Sequence, residues 1–377
     1  MTGLSLGCSI YTSYDQYQVD EFLRVAKKIG MKYVFTSLHI PEESQEVLSF
    51  LEQLLQKAHN MGFEVIADIS PFSLKRLGIS HLEDLFKWNV DWWRVDYGFD
   101  IDEIIKLHDK SGIMMNASLL DRTFLKEVIK RTQTTQRLAA CHNFYPKPLS
   151  GMSVEYIKHQ NEICHDFGIP VFGFIAGDGQ KRGPIGKGLP TVEDTREVRP
   201  MHAALQLWKE CKCDGVLIGD PSCSFQSQLE LMCLSQNMIP LRVKLRLHEE
   251  RWYNQIQQER IDSSPYVIRS ITSRPYALSG MEVPSRPSSK SRKAGSIWQA
   301  NHEYKRYSGE IEIARVDLPA DPWQNEIGEV CQEDIGLLPY VRAGLQYFFV
   351  PMSKRRTSKS KIIQGSVVNH HELLSSI

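Results

Sequence analysis

Short apolar runs and amphipathic stretches alternate along the first two thirds of the chain. The runs are rich in β-branched residues, and each has the length of a strand rather than of a helix. The stretches between them carry apolar residues at a spacing of three and four, as from Val19 to Ala26, before a stop signal at Gly30. Eight runs follow one another: LSLGCSIY (Leu4–Tyr11), KYVFTSLHI (Lys32–Ile40), EVIADIS (Glu64–Ser70), DWWRVDYGF (Asp91–Phe99), IMMNAS (Ile113–Ser118), LAACHNFYP (Leu138–Pro146), PVFGFIAGD (Pro170–Asp178) and DGVLIGDPS (Asp214–Ser222).

The number and spacing of these units favour a closed barrel. Eight strand–helix units over about 235 residues predict an α/β fold of the (β/α)8, or TIM-barrel, type. An open, doubly wound sheet with a dinucleotide site is disfavoured, because no G-x-G-x-x-G turn follows the first strand.

After the eighth unit the pattern changes, and this change divides the chain into domains. Residues 242–260 are rich in charge and are interpreted as a connecting segment. Beyond them lie short runs bounded by turn signals, and GEIEIARVDL (Gly309–Leu318) alternates strictly, as expected of a half-exposed antiparallel strand. We therefore expect a TIM-barrel domain over residues 1–240, a smaller, mainly β domain over 250–352 and a disordered tail over 353–377.

The composition limits the partners and the compartment. The 377 residues carry 45 basic and 45 acidic side chains, so the net charge does not point to nucleic acid or to an anionic membrane surface. No apolar run approaches the roughly 20 residues that a membrane span needs, and the N-terminus lacks the pattern of a secretory signal. We expect a cytoplasmic protein without nucleic-acid or membrane partners. The eight cysteines are scattered, which is typical of reduced, buried side chains.

Polar side chains collect at the ends of the predicted strands. In a TIM barrel the active site is built from these ends and from the loops that follow them. Asp, Asn and Ser also favour turns and helix caps, so each residue taken alone has a structural explanation. All eight successive strands end in hydrogen-bonding side chains, which is more than the capping of turns and helices requires. The residues are Ser9, Tyr11, Ser37, His39, Asp68, Arg94, Asp96, Tyr97, Asn116, Ser118, His142, Asn143, Tyr145, Asp178 and Asp220.

One pair at these ends is more specific. Arg94 and Asp96 are two residues apart in a predicted strand, so both side chains are expected to face the barrel mouth. A guanidinium beside a carboxylate keeps that carboxylate ionised, which suits a nucleophile, a general base or a stabiliser of positive charge. A purely structural ion pair is the alternative.

The histidine and aspartate residues at the strand ends raise the question of a metal. Four of them could converge as ligands: His39, Asp68, His142 and Asp220. The chain has no H-x-H or H-E-x-x-H pattern, however, and such patterns mark many zinc sites. We therefore expect neither a metal nor another cofactor.

The segment Ile175–Pro200 follows the seventh predicted strand and is rich in glycine and charge. Barrel enzymes frequently bind phosphate between the loops after strands seven and eight. Gly183 and two later glycines would let backbone N–H groups approach an anion, and Arg182 could form a bidentate pair with phosphate. Thr191 is predicted to cap a helix over the next residues. A linker without function is the alternative.

Motifs from both predicted domains occur together along the chain. They are TSLHIPEE (Thr36–Glu43), ADISP (Ala67–Pro71), RVDYGF (Arg94–Phe99), NAS (Asn116–Ser118), CHNFYPKPLSGMS (Cys141–Ser153) and RGPIGKGLPTVEDTR (Arg182–Arg196), followed by YVIRSITSRP, NHEYKRYSGEIEIARVDLP and NEIGEV. In combination they resemble the MupG family of 6-phospho-N-acetylmuramidases. The resemblance implies a TIM barrel followed by a cyclophilin-like domain, and a cytoplasmic glycosidase of peptidoglycan recycling. Its partner would be a small phosphorylated disaccharide, 6-phospho-N-acetylmuramic acid linked to N-acetylglucosamine.

The resemblance and the polar strand ends together imply roles for individual residues. Glycoside hydrolysis normally uses two carboxyl groups. We expect Asp96 to be the ionised one, because Arg94 adjoins it, and Glu193 to be the acid, because it matches the family motif beside the phosphate loop. Asp68 is the next candidate acid. The expected phosphate ligands are Arg182, Gly183 and Arg196, and the expected sugar ligands are Arg94, Asn116, His142, Asn143, Tyr145, Ser37, His39, Asp220 and Asn301.

Several questions stay open at the level of sequence. The separation of the two carboxyl groups cannot be read from it, so both retention and inversion at the anomeric carbon are open. A phosphosugar lyase or isomerase, or an inactive barrel that only binds phosphosugars, is the alternative function. The oligomeric state, a homodimer included, is open as well.

Overall fold

The structure is a computed structural model that describes residues 3–38, 46–76, 78–274, 280–286 and 290–352. The chain divides into two units, Met1–Ser235 and Gln236–Ile377. The tail predicted over residues 353–377 lies outside the described residues. No helix in the described part of the chain combines the length and the apolar character that crossing a bilayer requires.

The first unit is an eight-stranded parallel barrel that closes between its first and last strands, which confirms the predicted TIM barrel. Its strands are β1 (Ser5–Ser9), β2 (Tyr33–Ser37), β3 (Glu64–Ile69), β4 (Trp92–Val95), β5 (Gly112–Asn116), β6 (Leu138–Cys141), β7 (Val171–Ile175) and β8 (Gly215–Ile218). Its helices are α1 (Gln16–Lys28), α2 (Glu46–Asn60), α3 (Pro71–Arg76), α4 (Ile101–His108), α5 (Arg122–Thr132), α6 (Val154–His165), α7 (Pro200–Leu205) and α8 (Phe225–Ser235). Neighbouring strands follow the chain order around the whole barrel.

Capping residues begin several barrel helices. Asp15 accepts a hydrogen bond from the backbone N–H of Gln18 at the start of α1. At α4, Asp100 and Glu103 form a reciprocal capping box, which satisfies N–H groups that have no partner inside the helix. The apolar face of α1, from Val19 to Ala26, is buried, as its spacing predicts.

Aromatic side chains fill the barrel interior. Phe35 and Phe174 meet edge to face with ring centroids 4.9 Å apart, and Tyr33 and Phe172 do so at 5.0 Å. A Cβ atom added to Gly215 would lie 2.2 Å from the Phe172 ring, so a glycine is needed for this close approach of β8. The packed interior gives a rigid support to the residues that end the strands.

The second unit is built on one seven-stranded sheet, as its predicted mainly β character requires. The strands are β9 (Met238–Leu245), β10 (Ile256–Gln258), β11 (Val267–Arg269), β12 (Ser296–Ala300), β13 (Ile311–Ala314), β14 (Gln324–Val330) and β15 (Gln346–Pro351). They lie in the order β10-β15-β9-β14-β12-β13-β11, and β9 and β15 pair in parallel, whereas the other neighbours are antiparallel. Ile311 and Ile313 are buried in β13, as the alternation of this strand predicts.

The connecting segment predicted over residues 242–260 differs from the structure. Its first part belongs to β9, which lies inside the sheet between β15 and β14. Leu241 and Val243 are buried there, whereas Lys244 is exposed. Two of the charges interpreted as a linker, Arg242 and Lys244, are therefore alternating positions of a strand. The second unit begins at Gln236, before the predicted domain boundary.

Candidate active site

An open cleft of about 480 Å³ lies at the C-terminal ends of the barrel strands. Strands β2, β3 and β4 and the loops that follow β6 and β7 contribute its walls. The cleft therefore occupies the end of the barrel where TIM-barrel enzymes carry their active sites. The predicted site residues that line it are Ser37, Asp68, Arg94, Asp96, His142, Asn143, Tyr145 and Arg182.

Arg94 on β4 and Asp68 on β3 form a buried ion pair in this cleft. The Nη1 atom of Arg94 lies 2.6 Å from Oδ1 of Asp68, and both side chains are almost inaccessible to water. The other guanidinium nitrogens donate to the Cys141 carbonyl and, at 2.6 Å, to Oδ1 of Asn143. Burial is the largest single influence and lowers the pKa of Arg94, but the neighbouring acidic groups, Asp68 foremost among them, together outweigh it and the pKa is raised. The structure thus replaces the predicted pairing of Arg94 with Asp96.

Asp96 follows β4 directly and lines the same cleft. Its Oδ1 accepts a 2.7 Å hydrogen bond from the side-chain amide of Asn116 at the end of β5. The amide oxygen of Asn116 accepts from the backbone N–H of Ser118 at 3.1 Å, which fixes the orientation of the amide. Among the described residues, no hydrogen bond reaches Oδ2 of Asp96. Asp96 thus has one oxygen held by the protein and one available to a ligand.

A chain of buried hydrogen bonds runs from helix α6 to Arg94. Asn161 donates to a backbone carbonyl, so its Oδ1 accepts from Nε2 of His142 at 2.8 Å. Nδ1 of His142 then accepts from the Ser118 hydroxyl, whose oxygen accepts the backbone N–H of Asn143. Burial lowers the pKa of His142 to about 4, so the ring is neutral at physiological pH. These bonds orient Asn143, which in turn accepts from Arg94.

Glu193 and Arg196 form a clasp between two loops, and neither residue lines the cleft. Arg196 donates two hydrogen bonds of 2.6 and 2.7 Å to Glu193 and its remaining N–H groups to backbone carbonyls. Glu193 also accepts the backbone N–H groups of Leu149 and Gly151. The hydrogen bonds from Arg196 are the main cause that lowers the pKa of Glu193 to about 2. These contacts favour a structural role over the predicted proton donor and phosphate ligand.

The segment around Thr191 also differs from its prediction. Only a short 3₁₀ turn, Glu193–Thr195, forms there, and the next helix, α7, begins at Pro200. The Thr191 hydroxyl accepts from the backbone N–H of Phe174 at 2.8 Å and donates to the carbonyl of Asn143 at 2.9 Å. Thr191 therefore ties the loop to β7 and to the loop after β6, and it caps no helix.

Arg182 is a basic residue of the loop after β7 that reaches the cleft. Its guanidinium carbon lies 4.4 Å from the centroid of the Tyr11 ring and 5.5 Å from that of Phe144, so aromatic faces hold the charge. In the part of the chain that the structure describes, no carboxylate forms an ion pair with it. Gly183 is exposed, and its N–H already donates to the Tyr14 hydroxyl at 3.0 Å. Arg182 thus suits the predicted anion contact better than Gly183 does.

Asp220, which follows β8, is fully buried and braces the loop after β7. Its carboxylate accepts the backbone N–H groups of Gly177 and Arg182 at 3.0 Å and that of Leu189 at 3.3 Å. The ammonium of Lys181 lies 3.7 Å from Oδ2. Asp220 therefore shapes the loop from within, and these contacts do not favour the predicted contact with a sugar.

The remaining predicted residues lie in different surroundings. Ser37 at the end of β2 donates to Oδ2 of Asp68 at 3.3 Å, and Tyr145 contributes to the wall of the cleft. Asn301 belongs to the second unit, where it is fully buried and donates to Ser285, to the Pro322 carbonyl and to Asn325 of β14. His39 lies outside the described residues. The described residues contain no group of three or more His, Cys, Asp or Glu side chains placed to hold a metal ion.

Asn161 and Phe72 are among the residues at the cleft that sequence reasoning missed. Asn161 on helix α6 accepts a hydrogen bond from His142. The signal that could have identified Asn161 is its position on a buried helical face, because a buried polar side chain needs a hydrogen-bond partner. Phe72 lines the cleft from helix α3. No sequence signal distinguishes Phe72, because an aromatic residue after a helix-starting proline fits a core position equally well.

Two solved structures resemble the whole chain. One, of a conserved protein of unknown function from Enterococcus faecalis, is 31% identical with a TM-score of 0.77, over 92% of this chain and 96% of that chain. The other, of an uncharacterized B. cereus protein, is 25% identical with a TM-score of 0.74, over 93% of this chain and 100% of that chain. A comparison with curated proteins found no match.

Two family models account for most of the sequence. The model described as 6-phospho-N-acetylmuramidase, N-terminal, matches residues 6–233, which span the barrel. The model described as 6-phospho-N-acetylmuramidase, C-terminal, matches residues 239–350, which span the second sheet. The chain therefore belongs to the 6-phospho-N-acetylmuramidase (MupG) family.

Proposed function

We propose that the chain hydrolyses the glycosidic bond between 6-phospho-N-acetylmuramic acid and N-acetylglucosamine. The observation that carries the proposal is the content of the cleft, where Asp68, Asp96 and the guanidinium of Arg182 occur together. Glycoside hydrolysis normally uses two carboxyl groups, and a guanidinium is a suitable partner for phosphate. The description of the family supports the same activity.

The contacts favour Asp68 as the negatively charged member of the pair. Arg94 and Ser37 both donate hydrogen bonds to its carboxylate. Glycoside hydrolysis passes through a transition state with positive charge at the anomeric carbon, which a fixed carboxylate stabilises. This assignment replaces the expectation that Asp96 has this role, because Arg94 pairs with Asp68.

Asp96 is the better candidate for the proton donor. Asn116 holds one of its oxygens, and no described residue bonds the other, which leaves that oxygen to carry a proton towards the glycosidic oxygen. The proton passes from Asp96 as the bond between the glycosidic oxygen and the anomeric carbon breaks. A water molecule then gives its hydroxyl to that carbon and returns a proton to the enzyme, which completes the balance of hydrolysis.

Arg182 is the proposed ligand of the sugar phosphate. Its charge rests on Tyr11 and Phe144 rather than on a carboxylate, so phosphate binding breaks no ion pair. Asp220 accepts the backbone N–H of Arg182 itself and so braces the loop that carries it. The guanidinium is thereby positioned before the substrate binds, which reduces the entropy lost on binding.

Incubation of the full chain with the phosphorylated disaccharide, followed by mass spectrometry, tests this function. The wild type should release both sugars, and Asp96→Asn should lose this activity by orders of magnitude while it still binds the disaccharide. Absence of released sugars from the wild type would refute hydrolysis, and binding without release would favour an inactive barrel. A dehydrated product would favour a lyase.

The unphosphorylated disaccharide is the matched control for the role of Arg182. The wild type should cleave it far more slowly than the phosphorylated one, because the guanidinium loses its ligand. Arg182→Met should remove most of this difference. An undiminished preference for the phosphorylated sugar in Arg182→Met would move the phosphate contact to another residue.

A further inference from the structure

Two exposed aromatic rings line the mouth of the cleft, each close in sequence to one of the two acids. Phe72 lies four residues after Asp68 and is 62% exposed, and Tyr97 follows Asp96 directly and is 64% exposed. Both rings line the same cleft as the acids. Large aromatic side chains gain free energy from burial, so an exposed pair at a cleft indicates a surface that a ligand covers.

The fold brings the two rings onto neighbouring loops. Strands β3 and β4 are adjacent and parallel, so the loops that follow them leave the barrel side by side. Gly98 has a φ of +96°, and a Cβ atom there would lie 3.3 Å from the ring of Pro71. The loop that carries Tyr97 therefore packs against the start of helix α3, which carries Phe72. The two rings belong to one patch, the Phe72–Tyr97 patch.

This patch lies on the other side of the barrel from the phosphate contact. Arg182 belongs to the loop after β7, and β3 and β7 are opposite strands in the closed order of eight. A substrate with its phosphate at Arg182 and its glycosidic bond at the two acids extends towards the β3–β4 side. A pyranose presents a face of C–H groups, and such a face stacks on an aromatic ring without any need for charge.

We propose that the Phe72–Tyr97 patch binds the leaving sugar, the neutral N-acetylglucosamine ring, while Arg182 binds the charged half of the substrate. The inference rests on the proposed function, because it assigns the two ends of the same disaccharide. Phe72 and Tyr97 are specificity residues in this scheme and take no part in the bond-breaking step. They select a pyranose over a small alcohol as the leaving group.

Product inhibition separates the two halves of the site. In Phe72→Ala and in Tyr97→Ala, the inhibition constant of N-acetylglucosamine should rise about tenfold, equivalent to about 1.4 kcal/mol. The inhibition constant of 6-phospho-N-acetylmuramic acid should stay unchanged in both variants. In Arg182→Met, that constant should rise and the inhibition constant of N-acetylglucosamine should stay unchanged. Tyr97→Phe keeps the ring and should keep the wild-type constants. Tyr17→Ala, which removes a 68% exposed ring from helix α1, is the matched control.

The outcomes distinguish this inference from the proposed function. Suppose that the wild type cleaves the disaccharide and that N-acetylglucosamine inhibits Phe72→Ala, Tyr97→Ala and the wild type equally. The patch then does not bind the leaving sugar, whereas the proposed hydrolysis is supported. If the wild type does not cleave the disaccharide, inhibition cannot be measured. Binding of methyl N-acetylglucosaminide is then measured by saturation-transfer NMR. A signal present in the wild type and lost in both alanine variants supports the patch. A signal kept in the variants, or absent from the wild type, overturns it.

Discussion

Arg94 donates a 2.6 Å hydrogen bond to Asp68 on the neighbouring strand, and none to Asp96, which follows two residues later in the chain. The register of β3 and β4 places Asp68 directly beside Arg94. Neighbouring strands lie about 4.8 Å apart, whereas residues two positions apart along one strand are separated by about 6.6 Å. The cross-strand partner is therefore closer, and the cleft contains a preformed ion pair beside a carboxyl group held by an amide.

Removal of the guanidinium should destabilise the barrel strongly. Arg94→Met leaves Asp68 buried without its counter-ion, and breaking a buried pair in this way costs about 3–5 kcal/mol. Urea unfolding of wild type and variant measures the difference in the free energy of unfolding. Arg24→Met is the control, because it breaks a surface pair with Glu21 that contributes about 0–1 kcal/mol. Similar small losses in both variants would contradict a strong buried pair.

The Glu193–Arg196 clasp predicts a specific pH dependence. The folded-state pKa of Glu193 is depressed to about 2, so its stabilisation is present above the unfolded pKa of about 4.5 and is lost as pH falls towards 2. Glu193→Gln should lower the free energy of unfolding by about 2 kcal/mol at pH 7, a figure discounted for partial exposure of the side chain. The difference in the free energy of unfolding between variant and wild type should shrink as the pH falls below 4.5 and should be lost near pH 2.

The activity of the same variant tests the role of Glu193. If Glu193 is structural, folded Glu193→Gln should retain far more hydrolytic activity than Asp96→Asn, because the clasp does not line the cleft. Rates measured under saturating disaccharide, with folding checked by circular dichroism, give the comparison. An equal loss in the two variants would restore Glu193 as the candidate acid.

His142 should make the fold sensitive to mild acid. Its folded pKa is lowered to about 4 by burial, whereas an unfolded histidine titrates near pH 6.5, so the unfolded chain binds the extra proton between these values. Stability therefore falls as pH drops through this window, by about 1.4 kcal/mol per pH unit from this residue. The slope should be smaller in His142→Gln when unfolding is measured from pH 7 to pH 4. The exposed His81, changed to Gln, is the control; an unaltered slope in His142→Gln would contradict the assignment.

Asp220 should act on substrate binding through the loop that it braces. Asp220→Asn replaces one of two acceptor oxygens by an NH2 donor, so at least one of the three backbone N–H groups loses its acceptor and the loop should exchange its amide hydrogens faster. The KM for the phosphorylated disaccharide should rise about tenfold, equivalent to about 1.4 kcal/mol, with a smaller change in kcat. Asp317→Asn, at an acid of the second unit that also accepts a backbone N–H, is the control. A loss confined to kcat would instead place Asp220 in the chemical step.

The barrel and the place of its cleft could be predicted because they depend on local patterns. Strand length and helical spacing are properties of short windows, and the ends of parallel strands meet at one edge of the barrel. Ser37, Asp68 and Asp96 therefore reach the cleft, as their positions at strand ends predict. The charged residues of β9 show the limit of this reasoning, because an exposed strand face and a linker have similar composition.

The partners of the site residues could not be predicted because they depend on contacts between distant segments. The spacing around Thr191 fits a capping box, but its hydroxyl is bonded to Phe174 and Asn143 instead. Likewise, Glu193 matches a family motif beside the phosphate loop, yet its bonds to Arg196, and to a loop more than forty residues earlier, favour a structural role. The sequence therefore predicted most of the polar residues that line the cleft, but not the hydrogen bonds between them.

The Glu193–Arg196 clasp has a consequence for how this barrel changes its substrate. It joins the loop after β6 to the loop after β7. Both of its charges lie on the loop after β7 and pair with each other, whereas the loop after β6 contributes only backbone N–H and C=O groups. A graft of the loop after β7 therefore has to carry Glu193 and Arg196 together, and a new loop after β6 has to keep the backbone path of residues 147–151.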